Sequence, residues 1–264
     1  MRKIFRLFEL FIWNSRLAIA RSMEYKFNFI LGSFISIVFS SIGPVLQYLI
    51  FTQTKGFPGW NLDQIILFQG VLLIVLGLRT MFFGELQGFV YQLVRRGDFD
   101  RLLLKPYPPM GIILASGFSM SSLGSILGGL VITVYSIIKL ELHVGIIQCG
   151  LFVLFIAAGL ALFMALDVLF ACIVIILVQM GRLNEFFNFI ARFGEYPLSI
   201  YPNALRLAFI TVVPFAVWVN IPAQLLLGSF DAYMLYSLVF CFAFLFVCLK
   251  VWGLCLRKYT SAGG

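Results

Sequence analysis

Apolar residues run through this chain in long, nearly unbroken stretches, not at the 3.6- or 2-residue spacing of a half-buried helix or strand. A helix needs roughly 20 apolar residues to cross about 30 Å of hydrocarbon. Six stretches meet that length: 27–51, 64–84, 110–138, 144–164, 168–187 and 232–256. The fourth and fifth come from one apolar run, 144–181, too long for a single crossing. Asp167 is its only charge, so the pattern predicts a tight hairpin turning at 165–167. The fold expected is an all-α integral membrane domain of six transmembrane helices spanning 1–264.

Three segments break the apolar pattern. Residues 1–22 mix Lys3, Arg6, Arg16 and Arg21 with Phe5, Phe8, Phe11 and Trp13, which predicts an amphipathic helix lying in the interface; an ordinary polar tail is the plain alternative. Residues 191–228 carry Pro197, Pro202, Pro214 and Pro222 between apolar pieces too short to cross. Irregular backbone at membrane depth must be buried in protein or line a cavity, so two short re-entrant helices on the outer side are expected there. Tyr196, Pro197, Tyr201, Pro202, Pro214 and Pro222 are the candidate outer gate.

The third break, 94–106, holds the densest charge: Arg95, Arg96, Asp98, Asp100, Arg101 and Lys105. Gly97 can adopt backbone conformations closed to other residues. Asp98 is placed to cap a helix starting at Phe99. Lys105 suits the helix C-terminus, and Pro106 stops it. The expected product is a short helix showing Phe99, Leu102 and Leu103 to a partner's groove, with Asp100 and Arg101 beside them. A plain basic turn is the bland reading of the same residues.

Small residues recur at four-residue steps: Gly117, Ser121, Ser125 and Gly129 in the third stretch, and Gly32, Ser36 and Ser40 in the first. Such faces let helix backbones approach closely in lipid, so the third is expected to line a helix–helix contact, static or mobile.

Composition agrees with the pattern. The chain is 62% hydrophobic and 11% charged, far from the average soluble domain. Of its 19 Lys and Arg, 14 fall in residues 1–26, at Arg79, in 94–106 and in 250–258. By the positive-inside rule both termini are then cytoplasmic, and the net charge of +8 is explained without nucleic acid. Trp13 and Trp252 would mark the inner interface, Trp60 and Trp218 the outer. No short apolar leader with a cleavage site is visible. The five cysteines lack ligand spacing and His143 is the single histidine, so no metal site or histidine base is expected. The candidate intramembrane charges are Arg79, Glu85 and Asp167. All three are placed near the inner interface, where long side chains snorkel, and no role is assigned to them. A membrane-embedded lipid-modifying enzyme would need convergent polar groups at depth. A secondary transporter would need repeated halves and charged midplane sites. Neither pattern is present, and these two remain the alternatives.

The run Arg96-Gly97-x-Phe99-Asp100-x-x-Leu103-Leu104-x-Pro106, with Lys105 before the proline, resembles the segment after the second span of ABC-2-type ABC transporter permeases, closest to the branch called ABC-2 family transporter protein. Further matches occur in order: Arg21-x-x-Glu24-Tyr25, Gly59-Trp60-Asn61, residues 192–202 with Tyr196-Pro197 and Tyr201-Pro202, Val213-Pro214-Phe215, Ile221-Pro222-Ala223, and the tail 258–264. Lys105 departs from the commoner Arg. The resemblance implies a permease half that pairs with a second permease subunit, identical or paralogous, in a bacterial cytoplasmic membrane. Each half would dock an ATP-binding subunit through Arg96–Pro106, the coupling helix, with residues 1–22 as connecting helix. The chain lacks Gly-x-x-x-x-Gly-Lys-Ser/Thr, so ATP and Mg are expected on the partner, with no cofactor and no catalysis on this chain. The transported substrate is not specified by these motifs.

Overall fold

The computed structural model describes residues 2–54, 56–84, 86–177, 185, 189 and 192–259. Every regular element among them is helical: α1 Arg2–Glu24, α2 Lys26–Gln53, α3 Leu62–Phe83, α4 Leu86–Arg96, α5 Phe99–Leu103, α6 Pro109–Ser116, α7 Leu123–Lys139, α8 Ile146–Leu177, α9 Asn203–Thr211, α10 Asn220–Leu226 and α11 Ala232–Arg257. Single 3-10 turns at Phe193–Glu195, Leu198–Ile200 and Phe215–Val217 link the later ones. Among the described residues four helical stretches are long and apolar enough to cross a bilayer: Lys26–Gln53, Leu62–Arg96, Ile146–Ile176 and Ala232–Arg257.

Three of the expected spans are corrected. The hairpin turn at 165–167 does not exist: α8 runs unbroken for 32 residues, about 48 Å at 1.5 Å per residue. No Gly or Pro interrupts 160–177, and the one charge that argued for a turn is accommodated inside the packed protein. The fourth stretch and the start of the fifth are therefore one helix, and 178–187, apart from Glu185, lies outside the described residues. The third stretch is divided by a break between Ser116 and Leu123. Ser119 N–H donates to the Met81 carbonyl at 3.0 Å, which ties this break to the end of α3.

The helices pack in two clusters stacked along their length. One gathers the first halves of α8 and α11 (Phe155, Phe163, Met234, Cys241) with α3 and α10. The other gathers their second halves (Val168, Phe170, Cys172, Cys248, Trp252, Cys255) with α4, α5 and α6. α8 and α11 thus run parallel. α3 and α7 pair antiparallel at very short range, because glycines face backbone. A Cβ on Gly70 would lie 2.8 Å from Thr133 N, and one on Gly129 would lie 2.7 Å from the Gly70 carbonyl oxygen.

The stripe of small residues is only partly a helix face. Gly129 and Ser125 sit on α7; Ser125 Oγ is 2.7 Å from Ser36 Oγ of α2. Gly117 and Ser121 fall in the break, and Ser121 is exposed. Gly70 and Gly77, which complete the contact from α3, were not part of the expected stripe.

The four tryptophans expected at the interfaces differ in exposure, with Trp60 half-buried. Trp13 is 59% exposed, but Trp218 and Trp252 are buried within the protein.

Candidate coupling knot and the buried charge behind it

Leu86, Val90 and Val94 recur every four residues, so α4 presents one apolar face, and all three are buried in the second cluster. Arg95 and Arg96 close the helix where cations favour its C-terminal carbonyls. The chain then reverses at Gly97, whose φ is +73°, a left-handed conformation that costs glycine nothing. The turn expected from the sequence is present at this residue.

Other details of the knot are different. Asp98 makes no side-chain cap to α5; its carboxylate lies 3.6 Å from Arg101 instead. Phe99 and Leu102 do not point away from the protein. Phe99 is fully buried, edge-on to Tyr259 at 5.0 Å and to Trp252 at 6.4 Å, and Leu102 is buried beside it. They hold α5 onto its own chain, because a five-residue helix has too few internal hydrogen bonds to stand alone. The outward surface is Arg101, Leu103, Leu104, Lys105 and Pro106, with Leu104 86% exposed. Leu104 is not among the anchors expected from the sequence, yet it is the most exposed apolar residue of the knot. Its position just past the last helical turn was the available signal.

Behind α4 lies the second feature. Asp167 of α8 is buried and accepts a hydrogen bond from Gln87 Nε2 of α4. Arg79 of α3 approaches its Oδ1 at 3.8 Å. The same guanidinium lies 4.5 Å from the centre of the Phe163 ring, a cation–π contact. Phe163 in turn stacks on Trp218 at 3.9 Å and 5° between planes. Asp167 is thus buried against neighbouring helices, while Arg79 is 22% exposed beside it. Arg79 and Gln87 both address Oδ1 and offset the buried charge, which would be far more costly unpaired, while Oδ2 has no hydrogen-bond partner among the described residues. Glu85 lies outside the described residues.

The proline-rich segment meets this stack from the other side. Asn220 donates from Nδ2 to the Tyr196 carbonyl at 3.2 Å and accepts from Leu198 N–H at 3.0 Å, spanning Pro197. Tyr201 donates to the Phe193 carbonyl at 2.9 Å. Phe193, Tyr201, Phe209, Phe215 and Trp218 form a continuous chain of ring contacts. Pro202 precedes α9, Pro214 precedes a 3-10 turn, and Pro222 occupies the first turn of α10, where a missing N–H does no harm. No helix in 193–226 exceeds nine residues, too short to cross.

Polar residues also line a cleft of about 500 Å³ between α2, α3 and α7, including Ser36, Gln69, Thr80, Ser122 and Glu195. No group of three or more His, Cys, Asp or Glu able to hold a metal occurs among the described residues.

Comparison with known proteins gives one result. The family of ABC-2 family transporter proteins matches residues 30–263. No curated protein and no solved structure matches the chain. The match takes in the knot, the buried charge and the proline-rich segment together, in a chain with several helices long and apolar enough to cross a bilayer. The chain is a multi-pass membrane protein that belongs to the ABC-2 family of transporter proteins, a family of ABC transporter permeases whose membership implies association with an ATP-binding subunit.

Proposed function

We propose that this chain is the permease subunit of an ATP-driven exporter in a bacterial cytoplasmic membrane, with residues 1–264 forming one membrane domain and both termini cytoplasmic. Two permease subunits, identical or paralogous, would pair to enclose the pathway. A separate ATP-binding subunit, carrying ATP and Mg, would dock on the outward surface of the knot. The observation that carries this reading is family membership over residues 30–263, joined to a short helix held at the basic end by Phe99 and exposing Leu103, Leu104 and Arg101. The same end gathers Arg95, Arg96, Lys105, Arg257 and Lys258, as expected for a cytoplasmic face.

In this reading α1 is the interfacial connecting helix, docked by Phe11 against Phe82 and Phe118. The segment holding Tyr196, Pro197, Tyr201, Pro202, Pro214 and Pro222 caps the outer mouth. Arg79, Asp167 and Gln87 lie between the knot and that cap, joining α3, α4 and α8. The test is co-purification of an ATPase with the tagged chain, followed by hydrolysis in proteoliposomes. An ATPase that binds equally well after removal of residues 97–106 would defeat the docking assignment.

A further inference from the structure

We propose that the groove between α1, the start of α2 and the α6–α7 break holds the phosphate head of an anionic phospholipid. The groove has a volume of about 310 Å³ and is lined by Arg21, Ser22, Asn28, Ser33, Ser119 and Ser121 among others. Arg21 has no carboxylate in ion-pair range among the described residues; the ion pairs there are Arg79–Asp167, Arg101–Asp98 and Lys139–Asp63. Arg21 also lines an adjoining polar recess with Asn14 and Ser116. The guanidinium thus stands between two hydrogen-bonding hollows with its charge uncompensated. Ser33 Oγ is buried without a hydrogen-bond partner among the described residues. An acceptor-rich head group meets all of these needs together, because phosphate oxygens accept from Arg in paired geometry and from hydroxyls.

Two observations commit the site to a lipid over a free anion. Arg21 sits just before the 28-residue apolar helix α2, so it lies at head-group depth when α2 crosses the bilayer. Phe27, Ile30, Leu31 and Phe34 at the start of α2 are exposed, giving acyl chains an apolar wall beside the head-group recess. The break at 117–122 is what opens the recess: a continuous helix there would not present Ser119 and Ser121 as a polar loop. The inference rests on α2 crossing the membrane and is independent of the coupling reading.

The experiment is native mass spectrometry of the full-length subunit in detergent, with phosphatidylglycerol or phosphatidylcholine of identical chains added. The expected result is preferential retention of phosphatidylglycerol. Arg21→Gln lowers it about fivefold, the weight of one basic residue at a membrane surface. Lys26→Gln, a neighbouring cation outside the groove lining, leaves it unchanged. Gly32→Leu adds a side chain where a Cβ meets nothing within 4 Å, so it fills the groove without altering charge, and it also lowers retention. This second variant carries the test if Arg21→Gln fails to fold. Equal retention of the two lipids overturns the proposal, as does full retention in a folded Arg21→Gln or Gly32→Leu protein. Loss with Lys26→Gln equal to that with Arg21→Gln overturns it in favour of diffuse attraction. Displacement of the lipid by millimolar inorganic phosphate overturns it in favour of a simple anion site.

Discussion

The knot separates two kinds of apolar residue, and a pair of truncations distinguishes them. Leu104 is 86% exposed in the isolated subunit, so Leu104→Ala removes little that is packed. The stability change expected is within about 0.5 kcal/mol, as for ordinary surface positions. If an ATP-binding partner covers Leu104, the same truncation strips an anchor from the interface, worth about 2 kcal/mol or more. At about 1.4 kcal/mol per decade that is roughly a thirtyfold weaker Kd. Phe99→Ala acts the other way. Phe99 is fully buried against Trp252 and Tyr259, so its loss costs about 3–5 kcal/mol from the fold itself, and it frees α5 from the chain. The assay measures thermal unfolding of the purified permease beside its affinity for the ATPase. The expected pattern is normal unfolding with weak binding for Leu104→Ala, and early unfolding for Phe99→Ala. Normal affinity and normal coupled hydrolysis in the Leu103→Ala, Leu104→Ala double variant would show that this surface is not the docking face. Unchanged stability of Phe99→Ala would refute its role as internal anchor.

The packing and the charge distribution give three more expected outcomes. Gly70→Val places a side chain against Thr133 N and the Gly129 carbonyl, backbone atoms that cannot swing aside; it should cost about 1–3 kcal/mol in thermal unfolding, whereas exposed Ser121→Leu should leave the melting temperature in place. Arg79→Leu should destabilise by about 3–5 kcal/mol because it leaves Asp167 buried and unpaired, and adding Asp167→Leu should restore part of that loss; strict additivity in the cycle would show the two do not interact. A single cysteine at Gly264 in a Cys-free background should label only from the side that carries the ATPase, and one at Gly59 only from the other; the reverse would invert the orientation.

The solvent and the general plan were already written in the order of residues. Apolar runs longer than a bilayer is thick cannot be hidden in a water-soluble core, so a helical membrane protein followed from composition and length. Gly97 was legible because only a turn needs it there, and its positive φ agrees. The broken character of 193–226 was legible because four prolines forbid a long helix. The ordered motifs were enough to indicate the family.

Other choices were made by distant partners and had no local signal. Asp167 read as a turn because a lone charge is costly in lipid; Arg79 and Gln87, 80 or more residues away, make it tolerable inside α8. Phe99 and Leu102 read as outward anchors because nothing local reveals that Trp252 and Tyr259 arrive to cover them. Gly129 read as half of a contact whose other half, Gly70, lies on a different helix. In lipid every face of a helix can be apolar, so periodicity carries no signal for which face is buried. The pairing of α3 with α7, through close backbone approach, the Ser122–Gly77 hydrogen bond and the Lys139–Asp63 ion pair, and the apolar packing of α8 on α11 settled that.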